Sequence, residues 1–235
     1  MPGTGPFPDP AEWDPASPSI DLWFEKVRVH AEDSYCGLSM LKMPEDLRMY
    51  EHIIWESRSD TVIEIGSRTG ASALWFAHRL SSFQRHANPS RGHKVVTVDV
   101  SNEAVQSLLP FNPESLGISC VVGNAAESDT IFAVRKLVGS GRRCLVSEDS
   151  AHDYPTTLAV LQNYSEFVPI GGYFVVEDTC VDDDALRIEG WSRGVVQAID
   201  EWLKSNQGSA FRRCDHLPIY GTSCNRGGYL QRISE

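Results

Sequence analysis

"TVIEIGSRTGAS", residues 61–72, reads as a short β-branched run, a turn through Gly66 and Gly70, and the start of an apolar-rich helical segment. A strand, a glycine turn and a helix in that order form the opening unit of a parallel α/β sheet. The turn is not a dinucleotide fingerprint. A GxGxxG pattern starting at Gly66 needs glycine at 68 and 71, where the chain has Arg68 and Ala71, and this argues against a nicotinamide cofactor.

Downstream, four further β-rich runs recur: "KVVTVDV" (94–100), "ISCVVGN" (118–124), "CLVSED" (144–149) and "GYFVVED" (172–178). The gaps between them are long enough for crossover helices. Such spacing predicts a doubly wound, mainly parallel sheet covered on both faces. "CDHLPIY" and "GGYLQRI" near the end are expected to add an antiparallel pair, making seven strands in all. In an open α/β sheet, ligands bind beyond the carboxyl ends of the strands, where strand order reverses. Glu64 and Gly66, Asp99, Asn124, Asp149, and Glu177 with Asp178 all fall at strand ends. A loop less tightly turned than the dinucleotide type, preceded by a carboxylate, suits a ligand without pyrophosphate, such as S-adenosylmethionine. The expected cofactor contacts are Glu64, Gly66, Ser67, Gly70, Ser72, Asp99, Asn124 and Asp149, with Asp99 accepting from the ribose hydroxyls and Asn124 reaching the adenine.

Upstream, "DLRMYEHIIWES" (46–57) carries Leu47, Tyr50 and Ile54 at helical spacing behind Pro44 and Glu45. The proline-rich residues 1 to about 20 have no helical or strand period and read as an extended arm. An arm and lid segment over 1–45, followed by one catalytic domain over 46–235, is the expected organisation. Tyr35, Met40 and Met43 are placed to fold over the cofactor or to pack in the core. Trp13 and Trp23 on the arm are aromatic anchors that suggest docking on a second copy, hence a homo-oligomer.

Composition narrows the partners. A formal net charge of −11 with 21 scattered basic residues disfavours nucleic-acid binding. There is no apolar run of about 18 residues and no leader-like start, so no membrane contact is expected and the cytoplasm is the expected location. The six cysteines form no CxxC pair and read as reduced, mostly buried thiols.

Three stretches, "VIEIGSRTGASALWFA", "EDSAHDYPTTLAVLQNY" and "GGYFVVEDT", resemble the family of cephalosporin hydroxylase and rhamnosyl O-methyltransferase proteins, and "GGYLQR" near the end fits it as well. The resemblance runs from about Tyr35 to Arg232. It implies a class I methyltransferase fold, S-adenosylmethionine as methyl donor, and a divalent metal, usually magnesium, held by carboxylates at the ends of the fourth and fifth strands. By position these are Asp149, Glu177 and Asp178. The segment "CVDDDALRIEGWSRG" lacks the glycine and proline signature expected of the family's substrate loop.

Residue chemistry agrees with that implication. Three carboxylates crowded at one sheet edge repel one another unless a cation neutralises them, and oxygen ligands with open positions suit magnesium. A cation there can hold two neighbouring hydroxyls of a small-molecule sugar or polyol and lower the pKa of one. His152 is then the first candidate for the catalytic base and Asp149 the second; a helix-capping role for His152 is the alternative. Glu148 is expected to face away from Asp149, because side chains alternate along a strand. Asp182, Asp183 and Asp184 read as a solvated charge run. The leading function is a metal-dependent O-methyltransferase acting on a natural-product intermediate of antibiotic type. An oxygenase-associated component and a non-catalytic S-adenosylmethionine-binding protein are the competing classes.

Overall fold

The computed structural model describes residues 20–87, 92–187, 189–217 and 219–235. In chain order the elements are α1 (Ile20–His30), β1 (Ser34–Tyr35), β2 (Leu38–Ser39), α2 (Pro44–Ser57), β3 (Thr61–Ile65), α3 (Ala71–Ala87), β4 (Lys94–Asp99), α4 (Glu103–Ser107), β5 (Ile118–Val122), α5 (Ser128–Val138), β6 (Cys144–Glu148), α6 (Tyr154–Tyr164), β7 (Tyr173–Val176), α7 (Val195–Trp202), β8 (Phe211–Arg213) and β9 (Tyr229–Arg232). Strands β3 to β9 form one seven-stranded sheet in the order β5-β4-β3-β6-β7-β9-β8. The first five pair in parallel and the last two join antiparallel. The chain winds outward from β3 through β4 to β5, then returns to the other side of β3 as β6. Strand order therefore reverses between β3 and β6, which is where a doubly wound sheet opens its ligand crevice.

Period-two alternation divides the core. Val62, Val95, Leu145 and Val175 pack beneath α2 and α3, while Ile63, Val96, Val146 and Phe174 pack beneath α5, α6 and α7. Every residue of β3, β6 and β7 is buried, which is why these strands read as continuous apolar runs. Burial of each large side chain contributes about 1.5–3 kcal/mol.

Helix α2 begins at Pro44, where the sequence marks a helix start, and the missing N–H costs nothing in a first turn. Two boundaries differ from the sequence reading. The eighth strand is Phe211–Arg213, not "CDHLPIY": it pairs Arg212 with Gln231 and Arg213 with Leu230, and the chain turns after Cys214. Among the described side chains of α1, Trp23 and Val27 are buried one helical turn apart, too short a pattern to stand out beside the proline-rich arm. Trp23 packs within its own chain against Met43, Cys180 and Cys224, and its indole N–H donates to Leu186 O at 3.1 Å. It is thus not free to anchor a second copy, and Trp13 lies outside the described residues. Cys36, Cys120, Cys144, Cys180, Cys214 and Cys224 form no disulfide among the described residues, and four of them are buried. Among the described residues no helix is long and apolar enough to cross a membrane.

Asp46 clasps α2 to the C-terminal loop. Its carboxylate accepts from Ser223 Oγ at 2.5 Å, Cys224 N at 2.9 Å and Tyr229 OH at 3.0 Å. Burial outweighs these bonds and pushes its pKa up from 3.8 to about 6. A carboxyl raised on folding favours the folded state while protonated, and that advantage is lost as pH rises through the folded pKa. The stability of the wild type relative to Asp46→Asn should therefore fall between pH 4 and pH 6 by on the order of 3 kcal/mol. Denaturant titrations of both proteins across that range check this; a gap that does not change with pH contradicts it.

Candidate active site

The glycine turn brings two strand ends into contact. Gly66 has φ +94°, and a Cβ there would lie 1.9 Å from the Asp149 carbonyl oxygen, so only glycine lets the end of β3 pass the residue that follows β6. Its N–H donates to Val98 O at 2.8 Å. Asp99 then shapes the loop, since its Oδ2 accepts from Ser67 N at 2.9 Å and Arg68 N at 2.8 Å, and its Oδ1 from Ser101 N at 2.9 Å. Thr69 Oγ1 donates to Ser39 O at 2.8 Å, fastening the β1–β2 hairpin over the turn.

Between turn and hairpin lies a cavity of about 490 Å³. Gly66, Ser67, Ser72, Asp99, Asn124, Asp149, His152 and Asp178 all line it. Met40 and Leu41 supply part of its wall, whereas Tyr35 turns to His78 Nδ1 at 2.8 Å on α3. Asn124 spends its side-chain oxygen on Ala126 N at 2.9 Å, so what it can offer a ligand is its amide N–H. Glu64, Gly70 and Glu177 lie outside the lining. Glu64 is fully buried and accepts from Thr97 Oγ1 at 2.6 Å, and burial raises its pKa against the pull of Lys42.

Within the cavity the side chains of Asp149, His152 and Asp178 converge. His152 Nε2 lies 3.6 Å from Asp149 Oδ1 and 3.3 Å from Asp178 Oδ2, and one donor atom from each residue falls within a 4.8 Å span. Two of the three hold unusual backbone: His152 has φ 51° and Asp178 φ 52°. Non-glycine residues in the left-handed region cost about 1–3 kcal/mol each, and such residues cluster where a side chain must be aimed. Asn225 Oδ1 accepts from Asp178 N at 3.0 Å and helps hold that turn. Burial alone would lower the His152 pKa, but the carboxylates of Asp178 and Asp149 outweigh it and raise it. Burial, reinforced by Glu177, raises the Asp149 pKa well above the usual range, and burial raises that of Asp178.

Glu177 is turned elsewhere. Its Oε1 accepts from Ser147 Oγ at 2.6 Å, Tyr50 OH at 2.7 Å and Lys42 Nζ at 2.6 Å. The same ammonium donates to Asp149 Oδ2 at 2.6 Å. Lys42, 3% exposed, therefore bridges two of the three carboxylates assigned by position. Burial opposes its charge, yet Asp149, Glu177 and Glu64 hold it firmly protonated. Lys42 in turn keeps Glu177 ionised below the ordinary range, against the effect of burial. Sequence reasoning missed this residue. The signal was the crowd of buried acids itself, which demands a cation without saying that the cation must be a metal.

The remaining acids are structural. Glu148 faces α6, accepting from Ser150 and Thr157, on the opposite side of the strand from Asp149. Asp153 is the N-cap of α6, accepting from Thr156 N at 2.9 Å. Asp182 does similar work at the start of α7, taking Gly194 N at 2.7 Å and Val196 N at 2.6 Å. Asp183 closes a local turn on Ala185 N, and Asp184 pairs with Arg193.

This sheet order, with a glycine turn at the strand reversal and an acidic cluster in the same cavity, defines a class I methyltransferase. The chain belongs to the rhamnosyl O-methyltransferase/CmcI family, whose pattern matches residues 27–233. By family and fold it is an S-adenosylmethionine-dependent O-methyltransferase. A rhamnosyl O-methyltransferase of Mycobacterium bovis (strain BCG / Pasteur 1173P2) is 25% identical over 180 residues, 77% of this chain and 70% of that protein. One from Mycobacterium leprae (strain TN) is 24% identical over 210 residues, 89% of this chain and 87% of that protein. Among solved structures, a CmcI described as Mg-SAM superposes with a TM-score of 0.61 at 19% identity over 87% of this chain and 78% of that one. The O-methyltransferase TomG of Streptomyces achromogenes, in complex with SAM, does so with a TM-score of 0.54 at 15% identity, over 94% of this chain and 92% of that one.

Proposed function

We propose that the protein methylates a hydroxyl of a sugar or related polyol carried by a natural product, with help from a divalent cation, magnesium in the simplest case. The observation that carries this reading is the convergence of Asp149, His152 and Asp178 in the same cavity that Asp99 and Asn124 line. Relatives named rhamnosyl O-methyltransferases support the sugar. The carboxylates of Asp149 and Asp178, whose oxygens fall within a 4.8 Å span, fit a divalent ion with open positions.

In this reading Gly66, Ser67 and Ser72 receive the amino acid end of the cofactor, Asp99 accepts from its ribose hydroxyls and Asn124 donates to its adenine. Asp149 and Asp178 hold the cation, leaving Glu177 to Lys42. When bound, S-adenosylmethionine supplies an electrophilic methyl group and the cation lowers the pKa of an acceptor hydroxyl. His152 takes the hydroxyl proton at Nε2, between the two carboxylates that stabilise the resulting imidazolium. Met40 and Leu41 help exclude water.

Replacing Asp99 with Ala should weaken S-adenosylmethionine binding by about 1–3 kcal/mol, because buried ligand hydroxyls lose their acceptor. The Ser67 and Arg68 amides lose their anchor as well. Calorimetry of the cofactor alone measures this, and unchanged affinity removes Asp99 from the ribose site. The acceptor class is tested with two rhamnosides that differ only in whether one hydroxyl of a neighbouring pair is blocked. Transfer to the free pair alone is expected; equal transfer to both sinks chelation of a diol, and transfer to neither, with methylation of a non-sugar hydroxyl, sinks the sugar.

A further inference from the structure

Asp149 and Asp178 line the cavity and Glu177 lies just behind its lining, so three carboxylates are gathered there, and the chain already answers one of them. Lys42 Nζ lies 2.6 Å from both Asp149 Oδ2 and Glu177 Oε1, and its side chain is 2% exposed. Glu177 Oε1 also accepts from Tyr50 and Ser147, so three protein donors converge on one carboxylate oxygen. Burying an ammonium this deeply is costly unless its partners are fixed, and here they are fixed on two adjacent strand ends. Two carboxylates remain in the cavity lining, Asp149 through its other oxygen and Asp178, and their summed charge matches a divalent ion.

We propose that Lys42 is a built-in cation that takes Glu177, and one oxygen of Asp149, out of reach of a divalent ion, which then binds to two carboxylates instead of three. This rests on the metal-assisted reading above. Lys42 is a positioning residue: it sets how many acidic ligands the ion meets, and so how tightly the ion is held. Its place in the chain adds a second consequence. Ser39, Met40, Leu41 and Lys42 all line the cavity, so the ion pair pins the cavity wall to strands β6 and β7, more than a hundred residues away in sequence.

The test is direct binding of Mg²⁺ and Mn²⁺ to the full chain, by calorimetry and by Mn²⁺ electron paramagnetic resonance, with no turnover needed. Lys42→Met removes the competing charge and frees Glu177, so ion affinity should rise by about tenfold or more, since divalent affinity follows ligand charge. Glu177→Gln in the wild-type background should leave ion affinity within about twofold, while in the Lys42→Met background it should cancel the gain. Lys42→Gln, closer in polarity, replaces Lys42→Met if that variant does not fold. Should neither Lys42 variant fold, the Glu177→Gln arm alone decides. If Glu177→Gln in the wild-type background weakens the ion as severely as Asp149→Asn, Glu177 is a ligand and the proposal is overturned. Unchanged or weaker ion binding in a folded Lys42 variant overturns it as well. A wild type that binds no ion defeats metal assistance as such, whereas a Lys42 variant that then gains an ion site still upholds the role assigned to Lys42.

Discussion

Replacing His152 with Ala is expected to lower kcat by about 10²–10⁴-fold, the loss that follows removal of a positioned base. His152 Nε2 is 3.3 Å from Asp178 and 3.6 Å from Asp149, so the imidazolium formed on proton transfer sits between two anions. The alanine variant keeps both carboxylates, and calorimetry should find divalent-ion binding retained. Single-turnover kinetics with saturating cofactor isolate the chemical step. Loss of the ion along with turnover would make His152 a ligand and move the base to Asp149. Unaltered kcat would take His152 out of the reaction altogether.

The second large effect belongs to Asp149. Its two oxygens face different partners, Lys42 on one side and His152 on the other, and its carbonyl oxygen abuts Gly66. Asp149→Ala removes an acidic ligand, half of the Lys42 bridge and one anion beside His152 at once. Metal-dependent turnover is expected to be undetectable. Because Glu177 still holds Lys42, the fold should persist, as circular dichroism and a cooperative melt would show. Turnover near the wild-type level, still lost on chelation, would show that the ion is held without Asp149.

Much of this site was legible in the sequence because strand ends are legible. β-branched runs mark the strands, a doubly wound sheet gathers their carboxyl ends, and so Asp99, Asn124, Asp149 and Asp178 fall around one cavity. The register of β8 was not legible. "CDHLPIY" has the more strand-like composition, but "FRR" is what pairs with Leu230 to Arg232, and antiparallel pairing at a sheet edge depends on the partner more than on intrinsic preference. Glu177 and Lys42 were illegible for a related reason. A carboxylate at a strand end can face the crevice or the covering helix, and here Tyr50 of α2 and Ser147 of β6 draw Glu177 under the helix layer. Charge crowding in the sequence pointed to a divalent cation; the fold shows that a lysine 107 residues upstream of Asp149 already pairs with two of the three carboxylates.

Methyl transfer assisted by a divalent ion at Asp149 and Asp178 is tested by following labelled methyl from S-adenosylmethionine to a rhamnoside with free neighbouring hydroxyls, with magnesium, with EDTA, and with magnesium restored after EDTA. The account predicts an O-methylated sugar in the first and third reactions and none in the second. Equal product in all three would contradict the metal's part in it. No product in any, with cofactor bound and a panel of other hydroxylated acceptors also unreacted, would contradict the account as a whole.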